Sequence, residues 1–549
     1  MRTPNLFFLT CILGTCLLNS PLFGNISLIA YFGFCIVTLI ALSVCSRDLL
    51  NIPAPVKVFL VLAAYIYLHG VFNQNVNLTL YYWLSAAALL LLAMQSGKVQ
   101  TSSKKIRLHQ VIIVIALIES MVVILQWLRI VPSMNEQFRC TGTWANPNVT
   151  AMFIALSLWS QKEFIKHHTN RILIVAQLSV ILLSICFLQC RTAYIVAAIL
   201  LVELFKFNIP FRKALVIKMT AITLVIAALA FGIKTDSTGG RMQIWKNSVQ
   251  MIMNNPITGV GFGRFEKEYN LFVSQQNLPS NDHVYMAYND FLELAVEGGI
   301  IPVTLYIAFL VLLIIRFKND PQKLSLVISF IVIQLTNFGF QAIPAFALFL
   351  IYIGTSLQLE KEVISAPGKK LFIPKLIPAL VIAGGLILCI KLISVANAFQ
   401  RAAAIQANYE PREAIKEFED LGATLNFSAN YHENYGDLYM RTGKFQDAML
   451  QFQYALQSTS RPAVLGKCGW CYGQLSNYDS ARYYFKIIEK LQPHKYGPRM
   501  ALLKLYEQQK DTSSIRLKAR EIIMMPVKVP SKEVDIIKSA ARKWWQEEL

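Results

Sequence analysis

Apolar runs recur along the first 396 positions, each long enough to cross a bilayer core as a helix. They fall at roughly 5–22, 26–45, 55–72, 77–95, 110–130, 149–161, 171–189, 192–206, 214–233, 289–315, 324–341, 343–359 and 371–396, which makes twelve to thirteen spans. One long polar stretch, 234–288, interrupts them. It opens "TDSTGGRMQIWKNSVQMIMNNPITGVGFGRF", carries glycines, prolines and Arg241, Lys246 and Arg264, and is predicted to be a loop outside the membrane. From about residue 400 the pattern changes to charged, aromatic and polar positions, as in a soluble domain.

That last region repeats. "LYMRTGKFQDAMLQFQYAL" (438–456), "CYGQLSNYDSARYYFKIIE" (471–489) and "LYEQQKDTSSIRLKAREII" (505–523) superpose Tyr439 on Tyr472 and Tyr506, and Ala448 on Ala481 and Ile515. Ala414 falls one step earlier in the series. A period of about 34, with a small residue where paired helices cross, is the tetratricopeptide-repeat signature. Such a solenoid presents a concave surface and binds partners rather than carrying chemistry. "CGWC" (468–471) lies on a repeat helix, not after a strand, and reads as packing rather than as a redox dithiol. The predicted fold is therefore all-α: a polytopic transmembrane bundle over 1–397, then a repeat solenoid over 398–549.

Composition agrees. Of 549 residues, 55% are hydrophobic and 15% charged, with a mean hydropathy of +0.46, too apolar for a soluble chain. The net charge of +20 does not point to nucleic acid, because much of the basic excess sits in short loops between spans, where Lys and Arg set orientation. "MRTPNLFFLTCILGTCLLNS" is followed at once by a second apolar run and reads as a first span, not a cleaved signal. Lys104, Arg107, Lys162, Arg212, Arg316, Lys323 and Lys369 all follow even-numbered spans. Those loops are cytoplasmic, the N-terminus is inside, and the odd-numbered exits, the 234–288 loop and the repeats are exported.

Four polar clusters fall on the exported side: "RCTGTWANPN" (139–148), "CRTAY" (190–194), the 234–288 loop, and "NDHVYMAYNDFLELAVEGG" (281–299). An arginine at the bilayer boundary is costly unless paired or snorkelled, and Asp236, Glu266 and Asp282 are available acids. Several arginines on one face with few acids suit a phosphate-bearing ligand, since the guanidinium fork binds phosphate oxygens in pairs and stays charged. "GVGFGR" (259–264) follows no strand and is a weak nucleotide signal; its glycines fit a sharp backbone turn against a ligand. No HExxH, paired-Cys zinc pattern or acidic metal cluster stands on this face.

In order, "RCTGTWANPN", "RTAY", "GGRMQIW", "NNPITGVGFGRF" and "YNDFLELAVEGG" resemble the O-antigen ligase superfamily, which takes in O-antigen ligases, O-antigen polymerases and protein O-oligosaccharyltransferases. The resemblance covers about residues 110–355. It implies a bacterial inner-membrane enzyme with periplasmic repeats. That enzyme would move a glycan from undecaprenyl diphosphate to a hydroxyl of lipid A core, another glycan or a protein, with no cofactor, nucleotide or metal. By motif position Arg191 and Arg241 match the diphosphate-binding arginines, with Arg264 and Arg139 as further candidates. The family commonly has His-Asn where this chain has Tyr288-Asn289. A phenol, which ordinarily titrates near pH 10, is a poor base at neutral pH, and His283 is the nearby substitute. A non-catalytic reading stays open: a membrane-anchored repeat scaffold, or a lipid or solute carrier.

Overall fold

The computed structural model describes residues 52–73, 78–99, 102–167, 170–204, 235–278, 280, 282–357, 394 and 397–546 apart from 407, 427, 528 and 529. The spans expected at roughly 5–22, 26–45, 214–233 and, apart from residue 394, 371–396 lie outside these residues. Among the described residues every regular element is a helix. The chain divides into two compact units. One comprises Met1–Gly239, Asn255–Gly263 and Ala287–Ala396; the other comprises Gly240–Asn254, Arg264–Met286 and Asn397–Leu549.

The first unit is the membrane bundle. Its helices are α1 (Ala54–Phe72), α2 (Leu78–Val99), α3 (Ser102–Trp127), α4 (Pro147–His167), α5 (Arg171–Leu188) and α6 (Arg191–Leu204). After α7 (Thr235–Asn254) and α8 (Phe265–Gln275) come α9 (Asp290–Gly298), α10 (Ile300–Phe317), α11 (Pro321–Thr336) and α12 (Ile343–Ser356). Three described stretches are long and apolar enough to cross a membrane: Ala54–Phe72, Leu108–Trp127 and Ile300–Phe317. Tyr82–Met94, Ile172–Leu188, Pro321–Thr336 and Ile343–Ser356 are shorter apolar helices. Without a hydrophobic drive between helices in lipid, close packing has to hold the bundle. Gly354 of α12 lets the backbone come so near α2 that a Cβ there would lie 2.5 Å from that of Ala93.

One span starts later than expected. The run 289–315 is broken at Gly299, whose φ of +76° ends α9 before α10 begins at Ile300. A left-handed glycine is a common way for a helix to terminate.

The second unit is built on α13 (Pro411–Leu425), α14 (Ala429–Arg441), α15 (Phe445–Leu456), α16 (Pro462–Gln474), α17 (Tyr478–Leu491), α18 (Tyr496–Gln509), α19 (Thr512–Met524) and α20 (Lys532–Gln546). The aligned small positions Ala414, Ala448 and Ala481 are fully buried, and Ile515 nearly so. Gly436 and Gly469, one repeat apart, face Phe452 and Phe485, where a Cβ would come within 2.5 and 2.9 Å of the rings. Each pair thus crosses at a residue small enough to admit a partner's aromatic ring. The same unit takes in 240–254 and 264–286 of the 234–288 stretch, while 255–263 belongs to the first unit, so this unit is not confined to the chain after residue 397.

That stretch is not the irregular loop the composition implied. Residues Thr235–Asn254 form a 20-residue helix. Beyond "GG", the half-buried Ile244 and the buried Asn247, Ser248 and Met251 recur at helical spacing and outweigh the two glycines. Cys468 and Cys471 are free thiols packed against Ala448, Phe452 and Val464. Burial pushes their thiols up to about 11 and about 12, which leaves them inert packing residues.

Candidate functional site

The glycine-rich motif closes on a helix end. The Val260 and Gly261 amides donate to the carbonyls of Val296 and Glu297 (2.9 and 2.8 Å), and the Ile300 amide donates to the Pro256 carbonyl (2.9 Å). The first two bonds satisfy carbonyls that the end of α9 would otherwise leave bare, and the third ties the start of α10 to the same motif. Gly259 has φ +62°, and a Cβ on it would lie 2.4 Å from the Glu297 carbonyl. The close approach anticipated for these glycines is therefore to the backbone of α9. "NNPITGVGFG" and "LAVEGG" are two halves of one local structure.

The start of α9 is equally constrained. Tyr288 has φ +54°, a conformation costly for a bulky residue. Its ring meets that of Phe338, with centroids 6.0 Å apart. Asn289 caps α9: its Oδ1 accepts from the Phe291 and Leu292 amides (3.1 Å each), and its Nδ2 donates to the Leu335 carbonyl (3.2 Å). Two carboxylates in the same motif went unremarked in the sequence. Asp290 Oδ2 accepts from the Phe340 amide (3.0 Å). Glu293 accepts from the Ala287 amide (2.8 Å) and from Gln341 Nε2 (2.5 Å), which ties the carboxylate to the turn holding Tyr288. Acids one turn apart at the head of a helix were legible as N-terminal residues, but nothing local showed that they would be enclosed.

"RCTGTWANPN" forms a second knot. Gln126 Oε1 accepts from the amides of Thr141 and Gly142 (2.9 Å each). Glu119, buried on α3, accepts from Thr143 Oγ1 (2.6 Å) and the Thr143 amide (3.1 Å). Asn146 Oδ1 accepts from the Asn148 amide (2.9 Å) at the head of α4.

The structure distributes the candidate arginines. Arg139 is exposed and turns its fork onto the Trp127 carbonyl at the end of α3 (3.0 and 3.2 Å), with its guanidinium 3.8 Å from the Trp127 ring centroid. That geometry caps a helix. Arg191 is the first residue of α6 and half-buried, beside Thr192, whose hydroxyl bonds that of Thr336 (2.9 Å). Arg139, Arg191, Tyr288 and Asn289 belong to the membrane unit. Arg241 on α7 and Arg264 at the head of α8 belong to the second unit, as does His283.

His283 is not a free loop histidine. Its side chain is 4% exposed, and its Nε2 lies 3.2 Å from Glu266 Oε1 and 3.3 Å from Ser460 Oγ. Its Nδ1 is buried with no hydrogen-bond partner among the described residues. Burial pushes the Glu266 carboxyl up, but hydrogen bonds from His283 and Thr459 outweigh it and hold it below its usual range.

Residues 172–307 match the family model described as O-antigen ligase. That segment contains Arg191, Arg241, Arg264, His283, Tyr288 and Asn289; Arg139 lies before it. No curated protein matches the chain. Among solved structures, the APC/C hetero-tetramer Cut9–Hcn1 is similar at 12% identity over 83% of this chain and 76% of its own, with a TM-score of 0.21. Yeast Tom70 is similar at 11% identity over 95% and 93%, with a TM-score of 0.24. Scores that low carry no argument about this protein.

Proposed function

We propose that this membrane protein, which carries an O-antigen ligase domain, transfers a glycan from undecaprenyl diphosphate to a hydroxyl acceptor at the periplasmic face of a bacterial inner membrane. The family match over residues 172–307 is the observation that carries this reading. The acceptor oxygen attacks the anomeric carbon, the bond from that carbon to the phosphate oxygen breaks, and the lipid diphosphate departs with the electron pair. Arg191 and Arg241 bind the diphosphate and stabilise the charge that grows on it, the largest demand of such a step. Arg264 assists. Arg139, turned onto the end of α3, contributes to the fold of the neighbouring turn. The donor already carries the activation, so neither nucleotide nor metal is required.

The base is the part of the pattern that departs from the family. His283 is held by Glu266 and Ser460, and Asn289 caps α9. Tyr288 stands at the motif position of the base, on strained backbone. When departure of the diphosphate leads the reaction, the hydroxyl proton need leave only late, and a weak base suffices. The acceptor is lipid A core, a glycan or a protein.

Deletion in the native host should remove glycan from one acceptor class and cause undecaprenyl-linked glycan to accumulate. Complementation with Arg191→Ala or Arg241→Ala should restore protein in the membrane but lower transfer at least about 100-fold, the loss expected for a transition-state charge contact. Full transfer by both variants would remove the diphosphate role. An unchanged glycan profile would instead favour a membrane-anchored repeat scaffold.

A further inference from the structure

The segment 264–286 is tied to the repeat helices at several separate points. At the head of α8, Glu266 Oε1 accepts from Thr459 Oγ1 (2.7 Å), and the Glu266 carbonyl accepts from Ser460 Oγ (3.3 Å). Next to it, Lys267 Nζ donates to the Gln457 carbonyl (3.1 Å). At the tail of α8, Lys490 Nζ donates to the Ser274 carbonyl (3.1 Å). On the returning chain, Asp282 accepts from Gln492 Nε2 (2.7 Å) and pairs with Lys495 (3.4 Å). Within the segment, Asn270 binds both the amide and the carbonyl of Val284 (3.0 and 2.8 Å), which ties α8 to the returning chain.

A single surface ion pair would contribute little. Here the partners come from the turn after α15 and from the end of α17, and Glu266 is the most enclosed of the acids involved: its side chain is 27% exposed, against 56% for Asp282. Arg264 lies two residues before Glu266, and Gly263, at φ +72°, lies just before Arg264. A left-handed glycine does not itself fix the direction of the chain that follows it. The turn 457–461 supplies that restraint.

We infer that Glu266 is a positioning residue for donor binding, one that sets Arg264 through its bonds to Thr459 and Ser460 of the repeats. This rests on the transferase reading above. It gives the repeats a task besides binding a partner, and it makes the turn between two repeats a determinant of donor affinity.

The test is binding of undecaprenyl diphosphate to the purified full-length chain in lipid vesicles. Arg264→Ala and Glu266→Gln should each weaken binding at least about tenfold, the scale of one charge-assisted contact. The double variant should be no weaker than Arg264→Ala alone, since residues acting through one another are not additive. Thr459→Val should weaken binding and Thr459→Ser should restore it, a hydroxyl-specific pattern that general misfolding would not produce. Wild-type binding by Glu266→Gln, multiplied losses in the double variant, or no rescue by Thr459→Ser would each overturn the inference. The two levels separate cleanly. If Arg191→Ala weakens binding and Glu266→Gln does not, only the positioning role fails. If wild-type protein does not bind, or neither Arg191→Ala nor Arg264→Ala matters, the transferase reading fails with it.

Discussion

Gly259 and Gly240 stand nineteen residues apart in one glycine-bearing stretch and meet different demands. Gly259 is left-handed and a Cβ there would strike the Glu297 carbonyl, whereas Gly240 lies within α7 with open space where its Cβ would be. Gly259→Ala combines backbone strain of about 1–3 kcal/mol with a clash that neither backbone can relieve. It should cut the amount of folded protein in the membrane. Gly240→Ala should be tolerated, and should even stabilise α7 by about 0.5–1 kcal/mol. Detergent-extractable protein on a gel-filtration column reads both. The sequence showed that glycines here admit a close approach, but not to what, because the partner carbonyl lies nearly 40 residues along the chain. The CGWC cysteines make the opposite case: their helical spacing foretold a packing role. With thiols pushed up to about 11 and about 12 by burial, iodoacetamide at pH 8 should label neither until the repeats unfold. Rapid labelling of the folded protein would contradict that role.

At the scale of elements, periodicity was legible and punctuation was not. The repeat helices followed from a period of about 34 because each pair needs the same small residue at the same crossing. Helix α7 does not show in the sequence because two glycines and a polar composition mask a buried face of Ile244, Asn247, Ser248 and Met251, and the break at Gly299 does not show because apolar residues continue on both sides of it. Within the repeats, Lys518 bridges Glu489 (2.8 Å) and Glu521 (2.6 Å), and Arg499 reaches Glu521 (2.7 Å). Burial pushes the Glu521 carboxyl up, but its bonds to Lys518 and Arg499 outweigh that and hold it below the usual range. A depressed acid contributes stability that is present above its unfolded value, about 4.3, and is lost as pH falls through the lower folded value. The melting temperature of the repeats should therefore drop below about pH 4, and Glu521→Gln should flatten that drop. An identical pH profile in the variant would show that the network contributes nothing.

At the scale of the whole molecule, the chain passes from one unit to the other at 239/240, 254/255, 263/264, 286/287 and 396/397. The change in composition near residue 400 is visible in the sequence. The earlier crossings are not. The ties from Glu266 to Thr459 and from Asp282 to Gln492 join single polar residues about 200 positions apart, and single residues have no period. The spread of motif arginines over both units was hidden for the same reason. What the sequence did carry was the family resemblance, and residues 172–307 match the O-antigen ligase model.

The proposed function requires that this protein break the bond between a glycan and a lipid diphosphate. The most direct measurement is to reconstitute the full chain in vesicles with a polyprenyl-diphosphate-linked glycan and envelope acceptors from the host, with EDTA present and no nucleotide, and to follow the lipid by mass spectrometry. A transferase should give acceptor-dependent release of free polyprenyl diphosphate, with the glycan recovered on the acceptor and the release lost in Arg241→Ala. A donor that stays intact with every acceptor fraction, while the protein remains folded, would contradict it.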